Sequence, residues 1–203
     1  MTITDLVFIF SVLFTLVMIV RIAIAAAGRR WPAVIRASRI LGIFLAIYTV
    51  ALISVALATP RRFYAPGERR CFDDWCLTAN AVRSAPNSCG PDNGGHDWIA
   101  TIEVSSVALR VRQRAPDAHA ELEDAQGRLY QPCAPAADGR SLSDALGPGD
   151  SFRVALPFRL PAAATPAGLV LHHGDIPGIV GIGADQSLFH TQALHRVTIE
   201  PQP

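Results

Sequence analysis

The chain has 203 residues, half of them apolar, with eighteen basic residues against seventeen acidic ones. Every basic residue is an arginine, which we ascribe to a GC-rich coding sequence, and beyond Pro60 thirteen arginines face sixteen acids. That balance leaves no basic face of the size nucleic acid requires, so nucleic-acid binding is set aside.

The apolar excess lies before residue 60. LVFIFSVLFTLVMIV runs from Leu6 to Val20 without a charge, IAIAAA extends it beyond Arg21, and ILGIFLAIYTVALISVALA fills Ile40 to Ala58. At 1.5 Å per residue, each is about long enough to cross roughly 30 Å of hydrocarbon. Arg21 falls near a helix end, where its side chain can snorkel to the headgroups. Two such runs so close together argue against buried core helices. A cleaved signal peptide is the competing reading of the first run, with Ala25–Gly28 resembling a cleavage site. Its start, MTITD, carries an acid and no basic residue, and the apolar stretch is long for a signal. A transmembrane hairpin over residues 1–59 is therefore expected, with spans of about 6–27 and 40–58. Small residues at Ala23–Gly28 permit close helix approach.

Two spans place both termini on one side. The connecting loop holds Arg29, Arg30, Arg36 and Arg39, and arginine excess marks the cytoplasmic side. Arg61, Arg62, Arg69 and Arg70 beyond the second span weigh the other way. The four cysteines, Cys71, Cys76, Cys89 and Cys133, break the tie, because an even number in one small domain suits an oxidising compartment. The expectation is a multi-pass protein of the cytoplasmic membrane with its C-terminal domain outside.

After a linker over residues 60–70, helical periodicity gives way to short runs separated by turn clusters. Strands are expected at Phe72–Arg83, Trp98–Leu109, Ala118–Glu123, Ser151–Leu160, Gly168–His173 and Leu194–Glu200. WIATIEV alternates Trp98, Ala100, Ile102 and Val104 against Ile99, Thr101 and Glu103, a strand with one buried face. FRVALPFRL places Phe152, Val154, Leu156, Phe158 and Leu160 on one side. Pro157 in that run donates nothing to a ladder, which predicts an edge strand or a bulge. SAPNSCGPDNGG, DAQGR, PCAPAADGR, GPGDS and LPAAATPAG supply the turns, and SLSDALG is expected as one helical turn. Residues 71–203 then read as an antiparallel β-sandwich, of a size that closes a single core.

The segment DWIATIEVSS, followed by AELEDAQGRLYQP and LSDALGPGDSFRVALPFRLP, resembles an immunoglobulin-like domain of bacterial surface lipoproteins and membrane-anchored proteins, many of unknown function. The matching positions are Leu122, Asp124, Gly127 and Tyr130 in a hairpin, then Leu146, Pro148, Gly149, Asp150 and Ser151 in a turn, then Phe158 and Pro161. The resemblance spans roughly Phe72 to His173, and the chain departs from it in lacking a lipobox and in its helical hairpin and cysteines. It implies an immunoglobulin-like sandwich concerned with adhesion, ligand display or complex assembly.

Candidate chemistry is sparse, and no cofactor is expected. Within HHGD, His172 and His173 point to opposite strand faces and do not share a metal easily. His173 with Asp175, completed by His190 or His195, is the metal-site alternative to ordinary turn histidines. GDIPGIVGIGADQS lacks the lysine and spacing of a phosphate loop, and its Ile179, Val180 and Ile182 are expected in a buried strand. No serine-hydrolase elbow is present, and adjacent Asp73 and Asp74 diverge on an extended chain. Cys71 and Cys76 are too widely spaced for a redox pair, and paired knuckles for zinc are absent. Disulfides remain, with three connectivities open. Cys71 and Cys76 would lie about 16 Å apart on an extended strand, so they pair only if FDDW turns tightly.

The resulting expectation is a membrane-anchored, non-enzymatic module that binds another envelope or membrane protein. The alternatives are a metal-dependent enzyme built on His172, His173, Asp175 and His190, and an accessory subunit of a transporter.

Overall fold

The computed structural model describes residues 3–72, 74–91, 94–115, 118–172 and 191–200. Two units follow one another, an α-helical hairpin and a β-sandwich.

Helix α1 covers Ile3–Ala27 and α2 covers Trp31–Ala58. The turn between them is tight: the Gly28 and Arg30 N–H groups donate to Ile24 and Ala25 carbonyls, and Arg29 adopts φ 53°. Helix α2 starts nine residues earlier than the uncharged run because Pro32 in its first turn is pre-set for helix. Arg36 and Arg39 therefore lie on α2 rather than in a loop. Phe14 and Phe44 pack across the helix pair with ring centroids 4.5 Å apart. Little of either helix is buried; Leu13, Ile47 and Leu57 turn outward. Both helices are long and apolar enough to cross a membrane. Pro60 ends α2, and Thr59 caps it through its N–H and hydroxyl on the Val55 carbonyl.

Among the described residues the sandwich has ten strands: β1 Phe63–Tyr64, β2 Arg69–Phe72, β3 Trp75–Ser84, β4 Gly95–Ser106, β5 His119–Asp124, β6 Leu129–Tyr130, β7 Ser151–Pro161, β8 Pro166–His172, β9 Leu194–Arg196 and β10 Thr198–Glu200. One sheet runs β1-β9-β8-β5-β6 and the other β10-β3-β4-β7, with β2 also on β3. Pairing is antiparallel except at β1–β9 and β10–β3. One edge of β3 thus serves two neighbours, β2 over Trp75–Thr78 and β10 over Ala81–Arg83, with a bulge after Ala79.

The core lies between the sheets. Leu77, Val82, Ile102, Val104, Val154, Phe158 and Leu160 from one sheet meet Leu122 and Leu169 from the other. The face expected on β7 is the buried one, and β7 is an edge strand, as Pro157 requires.

Four expectations for this part of the chain are corrected. Part of the stretch expected as a linker is strand, since β1 and the start of β2 fall within 60–70. The expected strand over Phe72–Arg83 is the second half of a β2–β3 hairpin, because the chain reverses between Phe72 and Trp75, which pair with each other. The run Leu194–Glu200 splits at Val197, which packs on the core while β9 joins one sheet and β10 the other. In place of a helical turn, SLSDALG forms a turn in which the Asp144 carboxylate accepts the Ser141 N–H.

Candidate functional site

The hairpin resolves the cysteines. Cys71 and Cys76 are directly opposed on β2 and β3, with Cα atoms 3.9 Å apart, and form a disulfide. The reversal between Phe72 and Trp75 brings them together, and those two rings pack at 4.9 Å, tilted by 32°. The second disulfide joins Cys89 to Cys133 across a sequence separation of 44. Its loop is held by Arg159 on β7. That guanidinium donates to both Asp97 oxygens (2.7 and 3.1 Å) and to the Gly90 and Pro91 carbonyls, while Asp97 also accepts the Cys89 N–H at 2.9 Å. The Arg159 hydrogen bond, against the cost of burial, holds the Asp97 carboxyl below its usual range.

The turn motif around Asp124 is a closed polar knot. Its carboxylate accepts the Gln126 and Arg128 N–H groups, the Arg128 guanidinium at 2.7 Å and the Tyr130 hydroxyl at 2.8 Å. Burial opposes ionisation, yet these four donors outweigh it and lower the carboxyl to about 2. Gly127 at φ +79° closes the turn. Pro148, Gly149 (φ +74°) and Asp150 form the turn into β7, where the Asp150 carboxylate accepts the Gly147 N–H. These groups spend their hydrogen-bonding capacity on the fold itself.

Of the metal-site candidates, His173, Asp175 and His190 lie outside the described residues, as do Ile179, Val180 and Ile182. His172 ends β8, and its partners come from β5. His119 faces it in register, the two imidazoles stacked at 4.3 Å and 4°. Glu121, two residues along, meets His172 Nε2 at 2.9 Å and accepts from Gln131 at 2.8 Å. Burial, reinforced by repulsion from His119, keeps His172 below its usual pKa despite Glu121. Stacked parallel rings do not converge on one point, and among the described residues no three His, Cys, Asp or Glu side chains are arranged to hold a metal.

His195 is the more unusual histidine. It is fully buried on β9, stacked on Tyr64 at 4.5 Å, and neither ring nitrogen has a hydrogen-bond partner among the described residues. Burial, with the nearby Arg70 charge, lowers it to about 4, so it is neutral at pH 7.

Sequence reasoning missed His119 and Glu121, which become neighbours of His172 only through β5–β8 pairing. It also missed Arg61, the first residue of the sandwich. Arg61 forms a bidentate ion pair with buried Glu123 on β5, donates to the Gln192 carbonyl at 2.8 Å, and is followed by Arg62, whose carbonyl accepts the Leu194 N–H. The chain is thus clamped where it enters.

No family model matches this chain, and no curated protein matches it in sequence. Among solved structures it is similar to the secreted protein MPT63 of Mycobacterium tuberculosis, with a TM-score of 0.46 and 15% identity over 58% of this chain and 93% of that one. It is similar to the yjhA protein of Bacillus subtilis, with a TM-score of 0.38 and 13% identity over 66% and 98% of the two chains. An uncharacterised β-sandwich protein of Clostridium difficile gives a TM-score of 0.37 and 11% identity over 58% and 90%.

Proposed function

We propose that this chain is a membrane-anchored extracytoplasmic β-sandwich that acts as a non-enzymatic interaction module, binding another protein of the cell envelope. The observation that carries the reading is the shortness of the junction. Helix α2 ends at Ala58 and the Arg61 clamp follows three peptide links later, a reach of at most about 11 Å. A domain tethered so closely to a membrane helix works at the bilayer surface. The two disulfides support the outer side, where thiols are oxidised. The polar clusters support binding over catalysis, since Asp97, Asp124 and Glu123 are each consumed by an arginine that organises backbone.

Two measurements test this. C-terminal fusions to a reporter active only outside the cytoplasm are expected to be active, and activity of a cytoplasm-only reporter would reverse the orientation. Crosslinking in native membranes is expected to trap one envelope or membrane protein at stoichiometric yield. A transition metal accompanying the purified full-length chain at one per molecule would instead favour the enzyme.

A further inference from the structure

We propose that Val107–Arg114 is a lipid-docking segment, which seats the sandwich on an anionic phospholipid surface. The proposal rests on the membrane-anchored reading above and adds a specific contact to it.

Six large apolar side chains are exposed among the described residues of the sandwich: Phe63, Val107, Leu109, Val111, Leu129 and Ile199. Three of them fall within five consecutive residues. Leu109 is 91% exposed and Val111 62%, so neither is packed in the core. Arg110, Arg112 and Arg114 alternate with them and are also exposed, and among the described residues none of the three pairs with a carboxylate. Apolar tips interleaved with guanidinium groups match a headgroup layer. The short apolar side chains enter the acyl boundary while the arginines meet phosphates, to which guanidinium is geometrically suited.

The tip is presented by fixed ends. The Val107 N–H donates to the Asp74 carbonyl at 2.8 Å, and Ala108 is buried. On the other side Gln113 and Leu146 exchange two backbone hydrogen bonds of 2.8 Å, and its side chain reaches Asp74 at 3.1 Å. Arg112 and Arg114 touch the Ala145 and Ser143 carbonyls at 3.4 and 3.0 Å. The exposed residues Leu109–Val111 therefore pay little ordering entropy on docking.

Topology puts this tip at the end of the sandwich where the chain arrives. Strand β4 finishes at Ser106 and β5 begins at His119, so the segment spans one end. At that end His119 lies opposite His172, where β8 finishes. Strand β9 is antiparallel to β8 and β1 is parallel to β9, so β1 also starts from this end. The short tether from α2 thus holds the tip at high effective concentration near a bilayer. Leu129, in contrast, pairs with Glu123 near the opposite end, where β5 finishes.

The test uses the full-length chain with its disulfides intact, reconstituted into vesicles of phosphatidylcholine alone or mixed with phosphatidylglycerol. A solvent-sensitive fluorophore is attached through Leu109→Cys, or through Leu129→Cys as the distal reference. With phosphatidylglycerol present, the label at 109 is expected to shift blue and to be quenched by spin-labelled lipid about three-fold or more over the label at 129. Replacing Arg110, Arg112 and Arg114 together by Gln returns the 109 label to the 129 value, with an unchanged circular dichroism spectrum; Leu109→Asp gives the same loss in a crosslinking readout. Equal quenching at both positions in both vesicles overturns the proposal. So does shielding of position 109 in native membranes that is absent from pure lipid, because a protein then covers it. Alkaline carbonate separates the two levels. Release of the chain from native membranes sinks the anchoring and the docking together, whereas retention with a water-exposed 109 label sinks docking alone.

Discussion

The helical hairpin and the sandwich use the same apolar side chains in opposite ways. Leu13, Ile47 and Leu57 stand outward on the helices, while Leu77, Ile102 and Phe158 are fully enclosed between the sheets. In water the first arrangement costs about 25 cal/mol for each Å² left exposed, and in hydrocarbon that penalty vanishes. The backbones divide in the same manner. Each helix satisfies its own N–H and C=O groups along one segment, as lipid demands, whereas the sandwich satisfies them between strands far apart in sequence, as where Phe63 pairs with Leu194. The difference teaches that the two regions answer to different perturbations, one to the medium and the other to packing and crosslinks.

The sharpest test of that contrast is a matched pair of truncations. Phe158→Ala opens a cavity in the sandwich and is expected to cost about 3–5 kcal/mol in denaturant unfolding of the full chain. Ile47→Ala leaves no cavity and is expected to change membrane insertion by under about 1 kcal/mol. Equal costs would dissolve the comparison.

Crosslinks come next. Replacing Cys89 and Cys133 by Ala releases a 44-residue separation and is expected to cost about 4 kcal/mol. Replacing Cys71 and Cys76, only five apart, costs about 2 kcal/mol because the loop it closes is short. Both losses should appear as shifts of the unfolding midpoint of the sandwich, with the helical signal at 222 nm retained by the hairpin in roughly all variants.

The pH dependence separates the regions again, since among the described residues the shifted groups all lie in the sandwich. His195 is depressed from 6.5 to about 4 by burial, so the unfolded chain binds its proton first. Stability from this group is complete above pH 6.5 and is lost as pH falls toward 4, a decline of about 3 kcal/mol at most. His172 adds to it in the same direction. Asp97 and Asp124 are depressed from 3.8, so their contribution persists through that window and disappears only below it. Melting temperatures measured from pH 7 to pH 4 should therefore fall for the wild type and fall less for His195→Phe, whose ring keeps the stack on Tyr64. An unchanged slope in His195→Phe would show that the buried imidazole is not what sets it.

Much of the fold is legible in local pattern. The uncharged runs dictate two helices because lipid-length apolar segments have no other economical conformation, and the alternation from Phe152 to Leu160 dictates a half-buried strand. Pro157 restricts that strand to an edge, where β7 lies. Gly127 and Gly149 mark turns through their positive φ. The candidate site was less legible, since its parts are far apart in sequence. His172 gains its character from His119 and Glu121, some fifty residues earlier, and Val107 and Leu109 read as the tail of a strand that in fact stops at Ser106. An alternating apolar and arginine pattern is the same for a strand and for a projecting loop.

By itself, then, the amino-acid order determines that this chain has two long helices followed by short strands and glycine-marked turns, because those choices follow from periodicity, backbone freedom and length. Tertiary structure alone decides which cysteines meet, since Cys89 lies beside Cys133 where Arg159 on β7 holds the Gly90 and Pro91 carbonyls and Asp97 accepts the Cys89 N–H. It also decides that β9 and β10 part into different sheets, that His195 is sealed beside Tyr64, and that Leu109 projects from the sandwich rather than packing in its core. Each of these depends on contacts between residues distant in sequence, whose cost and reward exist only once the two sheets have closed on one another.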